Sequence, residues 1–168
     1  MRKIFLTTLL VIMMSAATAL AANWQQIYTD NDDNLIYFDT DSVQVTYIDS
    51  TREDVTFSAK FRMVYSDKGR QALINWYRDY SIMPAGIASL SYDITTIQFK
   101  KEGNKRYYHI SDRDSYTASG AEISGMHYRN SEPTWQEIPV ASNVDVEYNE
   151  AFLIVNGNLY KRIDSEGI

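Results

Sequence analysis

Hydrophobic and polar residues alternate along residues 54–65 of this chain. Val55, Phe57, Ala59, Phe61 and Met63 share one set of positions, and mostly polar or charged residues stand between them. Alternation of this length predicts a β-strand with one face on a hydrophobic core and the other toward water or a second layer. Further segments with strand-like patterns lie at 23–28, 34–39, 42–48, 89–100, 105–118 and 121–128.

The hydrophobic period changes after this strand. Ala72, Leu73, Trp76, Tyr77 and Tyr80 recur at helical spacing and predict an amphipathic helix over about 67–80. Ser66 or Asp67 is a suitable N-cap, and Pro84 with Gly86 ends the segment. We expect the aromatic stripe to dock the helix on a sheet, with a ligand groove as the alternative.

A second helix is predicted near the end of the chain. Ser142 or Asn143 would cap it, and Asn156-Gly157 would stop it. The β-branched residues leave a strand open as an alternative for 151–155. The strands between the helices are joined by short turns at 102–104 and 119–120, so consecutive strands must be antiparallel. The fold class is therefore predicted as α+β, with a single antiparallel β-sheet of about six strands flanked by one or two helices.

The acidic segment 29–43 raises the question of a calcium site. A calcium loop that began at Asp30 would need glycine at its sixth position and glutamate at its twelfth, but these positions hold Leu35 and Asp41. Aspartate and asparagine also favour turns, because their side chains bond the neighbouring backbone. The segment is therefore interpreted as a hairpin turn.

The first residues predict export. Arg2 and Lys3 precede an apolar run, and Ala19-Leu20-Ala21 forms a cleavage site, which is the pattern of a secretory signal peptide. The apolar run is shorter than the roughly 20 residues that cross a bilayer. We expect a signal peptide at 1–21, a single domain at 22–157 and a polar C-terminal tail at 158–168. The expected location is the periplasm or cell surface of a bacterium, with no membrane span after cleavage.

Charge and cysteine content narrow the classes of partner. Cleavage would remove two basic residues from a chain of net charge −6, which leaves −8. This balance argues against binding to nucleic acid or to anionic membranes. The chain has no cysteine, so an exported domain must rely on packing rather than disulfides.

Several structural motifs occur in a characteristic order: a leading tryptophan, an acidic turn, the segment YFDTDSV, a long alternating strand and a late W-x-x-I-P before a helix. Their residues are Trp24, 30–34, Tyr37, Asp39, Asp41, Ser42, Trp135, Ile138 and Pro139. The order resembles the surface-adhesin protein E-like family of exported bacterial domains over about residues 23–155. The resemblance implies a single antiparallel sheet flanked by helix, and the namesake of the family is an adhesin that binds host matrix and serum proteins. This chain departs from many members in lacking cysteines.

The residues of this resemblance have packing roles as well. We expect Asp39 and Ser42 to close a corner through bonds from side chain to backbone. We expect Trp135 to pack on the sheet beside the second helix. No binding residue is carried over from the family.

Catalytic motifs are lacking in the sequence. His109 and His127 are expected on adjacent strands, and two histidines without a third ligand make a poor zinc site. There is no G-x-S-x-G, H-E-x-x-H or glycine-rich phosphate loop. We therefore expect no enzyme, no cofactor and no bound metal.

Two functions remain open. The first is an exported protein-binding module, adhesin-like, that contacts a host or envelope protein or a second copy of itself as a homodimer. The alternative is a periplasmic small-ligand-binding or envelope accessory protein with a pocket between helix and sheet. The candidate binding residues are Lys100, Lys101, Lys105, Arg106, Trp76 and Tyr77.

Overall fold

The protein folds as one antiparallel β-sheet with two helices. A computed structural model describes residues 22–49 and 54–166, with side chains through residue 157. The elements are β1 (Trp24–Thr29), β2 (Leu35–Asp49), β3 (Asp54–Val64), α1 (Asp67–Asp79), a 3-10 turn (Ile87–Ser89), β4 (Leu90–Glu102), β5 (Lys105–Thr117), β6 (Glu122–Arg129), β7 (Gln136–Glu137) and α2 (Asn143–Glu166). The predicted α+β class is confirmed. The predicted signal peptide lies outside the described residues.

The strands follow one another across the sheet in the order β1-β2-β3-β4-β5-β6. Each pair is antiparallel, as the short turns require, and β7 pairs with β5 on the same side as β6. Strand β5 is therefore interior along most of its length. Strands β1 and β6 lie at the two edges of the described sheet.

The main hydrophobic core lies between the sheet and α2. Phe57 and Phe61 of β3 are buried, and Tyr148, Ala151 and Val155 of α2 pack against the same cluster. Alternation places these β3 side chains on one face, as the sequence pattern predicts. The Phe57 ring lies 5.3 Å from that of Phe99 and 5.7 Å from that of Tyr148, centroid to centroid. These packed aromatic rings hold α2 against this face of the sheet.

Helix α2 is longer than predicted. Ser142 Oγ accepts a hydrogen bond from Asp145 N at 3.2 Å, which confirms the N-terminal cap. The stop predicted at Asn156-Gly157 is wrong, because the helix continues to Glu166. A glycine inside a helix costs only about 1 kcal/mol relative to alanine. The two helical turns before Gly157 pack on the hydrophobic core, and this packing outweighs the cost of the glycine.

Helix α1 begins at its predicted cap, where the Ser66 side chain accepts a hydrogen bond from Gly69 N at 2.9 Å. Its buried side differs from the prediction. Leu73 and Tyr77 pack against a second core cluster of Ile87, Leu90, Ile123 and Met126. Trp76 is 51% exposed, so the prediction that it docks the helix is wrong, and the same holds for the exposed Tyr80.

The acidic turn is hydrogen-bonded to the start of α1. Asp30 Oδ1 accepts hydrogen bonds from Asp32 N and Asn34 N, both at 2.9 Å, and the segment connects β1 to β2 as predicted. The buried Asn34 side chain accepts a hydrogen bond from Ser66 N at 3.0 Å. Gly69 approaches Asn34 so closely that a Cβ on Gly69 would lie 1.9 Å from Asn34 Oδ1. The turn thus fixes where the helix begins.

Strand β2 is a single bent strand rather than the two strands predicted at 34–39 and 42–48. Its pairing with β3 shifts register between Asp39 and Gln44. Ser42 Oγ donates to Asp39 O at 2.6 Å and accepts from Lys60 N at 2.8 Å. Asp39 Oδ1 accepts from Asp41 N at 3.2 Å, so both side chains bond the backbone at the corner, as predicted. The bulge lets the chain bend without leaving the sheet.

Trp135 lies on the opposite side of the sheet from α2. Its ring stands 5.1 Å from Lys100 Nζ and 6.1 Å from the His109 ring. Lys100 alternates with the core residue Phe99, so its side chain points away from α2. The prediction that Trp135 packs beside the second helix is therefore wrong.

Candidate functional site

A cavity of about 450 Å³ opens on the same face of the sheet that carries both helices. Its volume lies within the range of about 300–1,000 Å³ that is usual for small-molecule sites. Helix α1, the loop before it, strands β4 to β6 and the loop that leads into β7 surround it. The lining residues are Tyr65, Leu73, Tyr77, Asp93, Tyr108, His109, Ile110, Arg113, Ser115, Met126, His127, Tyr128, Asn130, Thr134 and Gln136.

The strand register explains how the cavity arises. Asp93 pairs with Met63 across the sheet, so its side chain shares a face with the core residue Phe61. Helix α2 packs on the core cluster of Phe57 and Phe99, whereas α1 packs on the separate cluster of Leu90 and Met126. Polar side chains such as Asp93 lie at the positions between the two clusters. The two hydrophobic clusters therefore fill the two ends of this sheet face, and the cavity lies between them near β5.

The floor of the cavity contains a buried acid. Asp93 is 5% exposed, and the Tyr65 hydroxyl donates to its Oδ2 at 2.7 Å. Burial raises the pKa of Asp93, whereas Ser115, Tyr65 and the positive charge of Arg113 oppose the rise. Ser115 stands opposite Asp93 on β5, yet Asp93 Oδ1 has no partner of hydrogen-bonding geometry among the described residues. A buried acceptor without a partner is costly, so this acid is a candidate functional group.

The wall of the cavity supplies one positive charge. Arg113 is the one arginine or lysine among the described lining residues, and its side chain is exposed. The guanidinium makes no hydrogen bond or ion pair with any described residue. It acts on Asp93, Tyr65 and Glu147 through its charge, at a distance too long for an ion pair. Arg113 is therefore available to a ligand.

A second carboxyl group with a raised pKa belongs to Glu147 of α2. Glu147 Oε1 accepts a hydrogen bond from the Tyr28 hydroxyl at 2.8 Å, which links α2 to the edge strand β1. Burial raises the pKa of Glu147 from 4.5 to about 7, although the Tyr28 hydrogen bond and the charge of Arg113 both lower it. The carboxyl therefore changes its charge near neutral pH.

The free energy of unfolding should fall as pH rises from about 4.5 to about 7, with Glu147 contributing on the order of 2 kcal/mol. The folded protein binds this proton more tightly than the unfolded chain does, so loss of the proton favours unfolding. Buried Asp93 acts in the same direction. Urea denaturation at a series of pH values measures the slope. Glu147→Gln should flatten it, whereas Tyr28→Phe should extend it to higher pH; a slope unchanged in Glu147→Gln would contradict the assignment.

The basic residues singled out in the sequence are dispersed by the fold. Lys100 Nζ lies 3.0 Å from Glu102 Oε1 and 5.2 Å from the Tyr107 ring centre. Arg106 Nη1 lies 2.6 Å from Asp145 Oδ1 in the first turn of α2, so this residue holds the helix to the sheet. Lys101 pairs with Arg106 across the hairpin, and Lys105 is exposed near its tip. None of the four lines the cavity.

The two aromatic candidates on α1 differ in exposure, although their ring centres lie only 5.0 Å apart. Tyr77 lines the cavity, whereas Trp76 faces outward with Tyr80, at 4.8 Å between ring centres. Ile82 and Met83 follow on the same exposed segment. This outer apolar patch of Trp76, Tyr80, Ile82 and Met83 is distinct from the cavity.

Sequence reasoning did not identify Asp93 or Arg113 as site residues. The signal for Asp93 is present: positions 93, 95, 97 and 99 share one face of β4, and Asp93 is the charged residue in that series. Burying a charged side chain is costly, so a charged residue at an inward position indicates either a bonding partner or a functional role. Arg113 carried no such signal, because it stands in the charged run 112–114.

Both histidines line the cavity. They lie on adjacent strands as predicted, and His109 Nε2 is 3.1 Å from Asn130 O. Within residues 22–49 and 54–166, no cluster of three or more histidine, cysteine or acidic side chains has metal-binding spacing. Across these same residues, no helix combines the length and the apolar character needed to cross a membrane.

Comparisons with known proteins add no relative. A scan against protein-family models, a search of curated proteins and a search of solved structures each gave no match for this chain. The resemblance to the surface-adhesin protein E-like family therefore stays a prediction.

Proposed function

We propose that this chain is an exported, non-catalytic protein that binds a small molecule in the cavity between α1 and the sheet. The observation that carries the proposal is the cavity itself, which joins apolar walls to a few convergent polar groups. Asp93 Oδ1 has no hydrogen-bond partner among the described residues, and the Arg113 guanidinium in the same lining is unpaired with them. This choice favours the small-ligand alternative over the protein-binding module.

Native mass spectrometry of the mature protein, purified from its host, tests the proposal. We expect a bound small molecule at one copy per chain. Ile110→Trp should remove it by filling the cavity, whereas Val140→Trp, at an exposed position outside the cavity, should keep it. Circular dichroism confirms that each variant is folded. A ligand-free protein that binds nothing from a metabolite library, or equal binding by both variants, would overturn the proposal.

A second candidate is the adhesin-like protein-binding module, with a host or envelope protein or a second copy of the chain as partner. The observation that favours it is the outer apolar patch of Trp76, Tyr80, Ile82 and Met83. Exposed groups of large apolar side chains often mark contacts with other proteins. The edge strands β1 and β6 offer a further route, because their outer amides and carbonyls lack a strand partner within the described sheet.

Light scattering and a pull-down against matrix proteins test this second candidate. The wild type should form a dimer or retain a matrix protein, and a Trp76→Ser/Tyr80→Ser variant should lose that contact. The double variant should keep any cavity ligand, because neither residue lines the cavity. A strictly monomeric protein that retains no matrix protein would exclude this candidate.

A further inference from the structure

We infer that the cavity binds a small organic carboxylic acid with an apolar body, whose carboxylate contacts the Arg113 guanidinium. This inference rests on the proposed binding function and names the class of ligand for the same site. It depends on the free charge of Arg113, its position beside Asp93 and the apolar walls of the cavity.

The position of Arg113 follows from the strand register. It stands opposite Thr95 on β4 and Tyr128 on β6, whereas Asp93 stands opposite Ser115, two residues further along β5. Arg113 and Asp93 are thus diagonal neighbours on one face, at a typical backbone separation of about 7–8 Å. The two side chains form no ion pair. The guanidinium therefore keeps its donors for another acceptor.

The chemistry of an unpaired arginine favours a carboxylate. Its planar fork of N–H donors matches the two oxygens of a carboxylate, and such charge-assisted pairs are among the strongest hydrogen bonds in proteins. The neighbouring acid does not take this role, because Asp93 Oδ1 is enclosed and Oδ2 is bound by Tyr65. A cationic ligand would meet the positive charge of Arg113 at the exposed wall. The positive charge of Arg113 therefore attracts an anionic ligand to this wall.

The remaining walls describe the rest of the ligand. Leu73, Ile110 and Met126 supply aliphatic surface. Four tyrosine side chains, from Tyr65, Tyr77, Tyr108 and Tyr128, supply aromatic surface with hydroxyl groups. An inorganic anion would leave this surface unused, whereas an acid with a hydrocarbon or ring body would cover it.

A matched pair of probes tests the inference: 3-phenylpropionate and its neutral amide, 3-phenylpropionamide, measured by isothermal titration calorimetry. The acid should bind wild-type protein about 10- to 100-fold more tightly than the amide, as expected for one charge-assisted contact. Arg113→Gln should abolish the preference for the acid, because both probes then meet a neutral side chain. Arg113→Lys should retain part of the preference. Arg78→Gln removes an exposed arginine outside the cavity and should behave as wild type.

The pH dependence supplies a second readout. The charge of Arg113 lowers the pKa values of Asp93 and Glu147, so a bound carboxylate that neutralises it should raise both values and take up protons. Affinity for the acid should then increase from pH 8 to pH 6, a range in which the ligand itself stays ionised. His127 also lines the cavity. The remaining titratable lining groups are His109 and the four tyrosines.

The outcomes separate the ligand class from the binding function. Tight binding of both probes with no preference for the acid, or a preference that survives in Arg113→Gln, would overturn the carboxylate inference and leave a small-molecule site in place. Binding of neither probe, together with a ligand-free protein from the host, would overturn both. A folded Arg113→Gln variant that still binds the amide, but has lost the acid preference and its pH dependence, would support the inference.

Discussion

Replacing Phe57 with alanine should lower the free energy of unfolding by about 3–5 kcal/mol, the usual cost of removing a fully buried phenylalanine. Phe57 is 0% exposed, and three aromatic rings surround it, those of Phe99, Tyr148 and Phe152. Alanine would remove these contacts and leave a void between the sheet and α2. Urea denaturation followed by circular dichroism measures the loss.

Trp76→Ala is the matched control for this experiment. The indole is larger than the phenyl ring, but it lies on the outer side of α1, so its removal should change stability by less than about 1 kcal/mol. The comparison separates burial from size. Equal losses in the two variants would contradict the orientation of α1 described above.

Replacing Gly69 with alanine should lower the free energy of unfolding by about 1–3 kcal/mol, even though alanine is the better helix former by about 1 kcal/mol. The new Cβ would lie 1.9 Å from Asn34 Oδ1. Asn34 has little freedom to move, because its side chain donates to Asp30 Oδ2 at 2.9 Å and accepts from Ser66 N at 3.0 Å. The thermal midpoint of unfolding reports the loss.

Gly157→Ala in α2 is the matched control for Gly69→Ala. A Cβ at Gly157 meets no atom within 4 Å, so the substitution should stabilise the protein by about 0.5–1 kcal/mol. A Gly69→Ala/Asn34→Ala double variant should lose less than the sum of the two single variants, because the clash is gone. A stabilising Gly69→Ala would show that the turn does not press on the helix.

The outward position of Trp76 shows where sequence periodicity reaches its limit. Helical spacing predicts that Leu73, Trp76, Tyr77 and Tyr80 share a broad side of α1. It does not say which edge of that side meets the sheet, because the four residues span a wide arc. Burial of Gly69 against Asn34 rotates the helix, so that Leu73 and Tyr77 face inward. A long-range contact therefore decided which aromatic residue is accessible to partners.

Local physical chemistry accounts for what the sequence by itself determined. The alternation in 54–65 produced strand β3, and short turns required antiparallel neighbours, since these effects act between residues close in the chain. The caps at Ser66 and Ser142 and the corner at Asp39 likewise rest on side chains that bond adjacent backbone. The α+β class followed from these elements alone.

Only the tertiary structure decided the candidate site. Asp93 and Arg113 come from different strands, and register places them as diagonal neighbours on one face. The cavity between them exists because α1 and α2 cover separate parts of that face, which depends on packing between residues far apart in the chain. Trp135 lies on the sheet face opposite α2, beside Lys100, and this position also depends on contacts between residues far apart in the chain. Pairing partners and helix orientation are set by contacts across the whole fold, so the pattern of any one segment does not contain them.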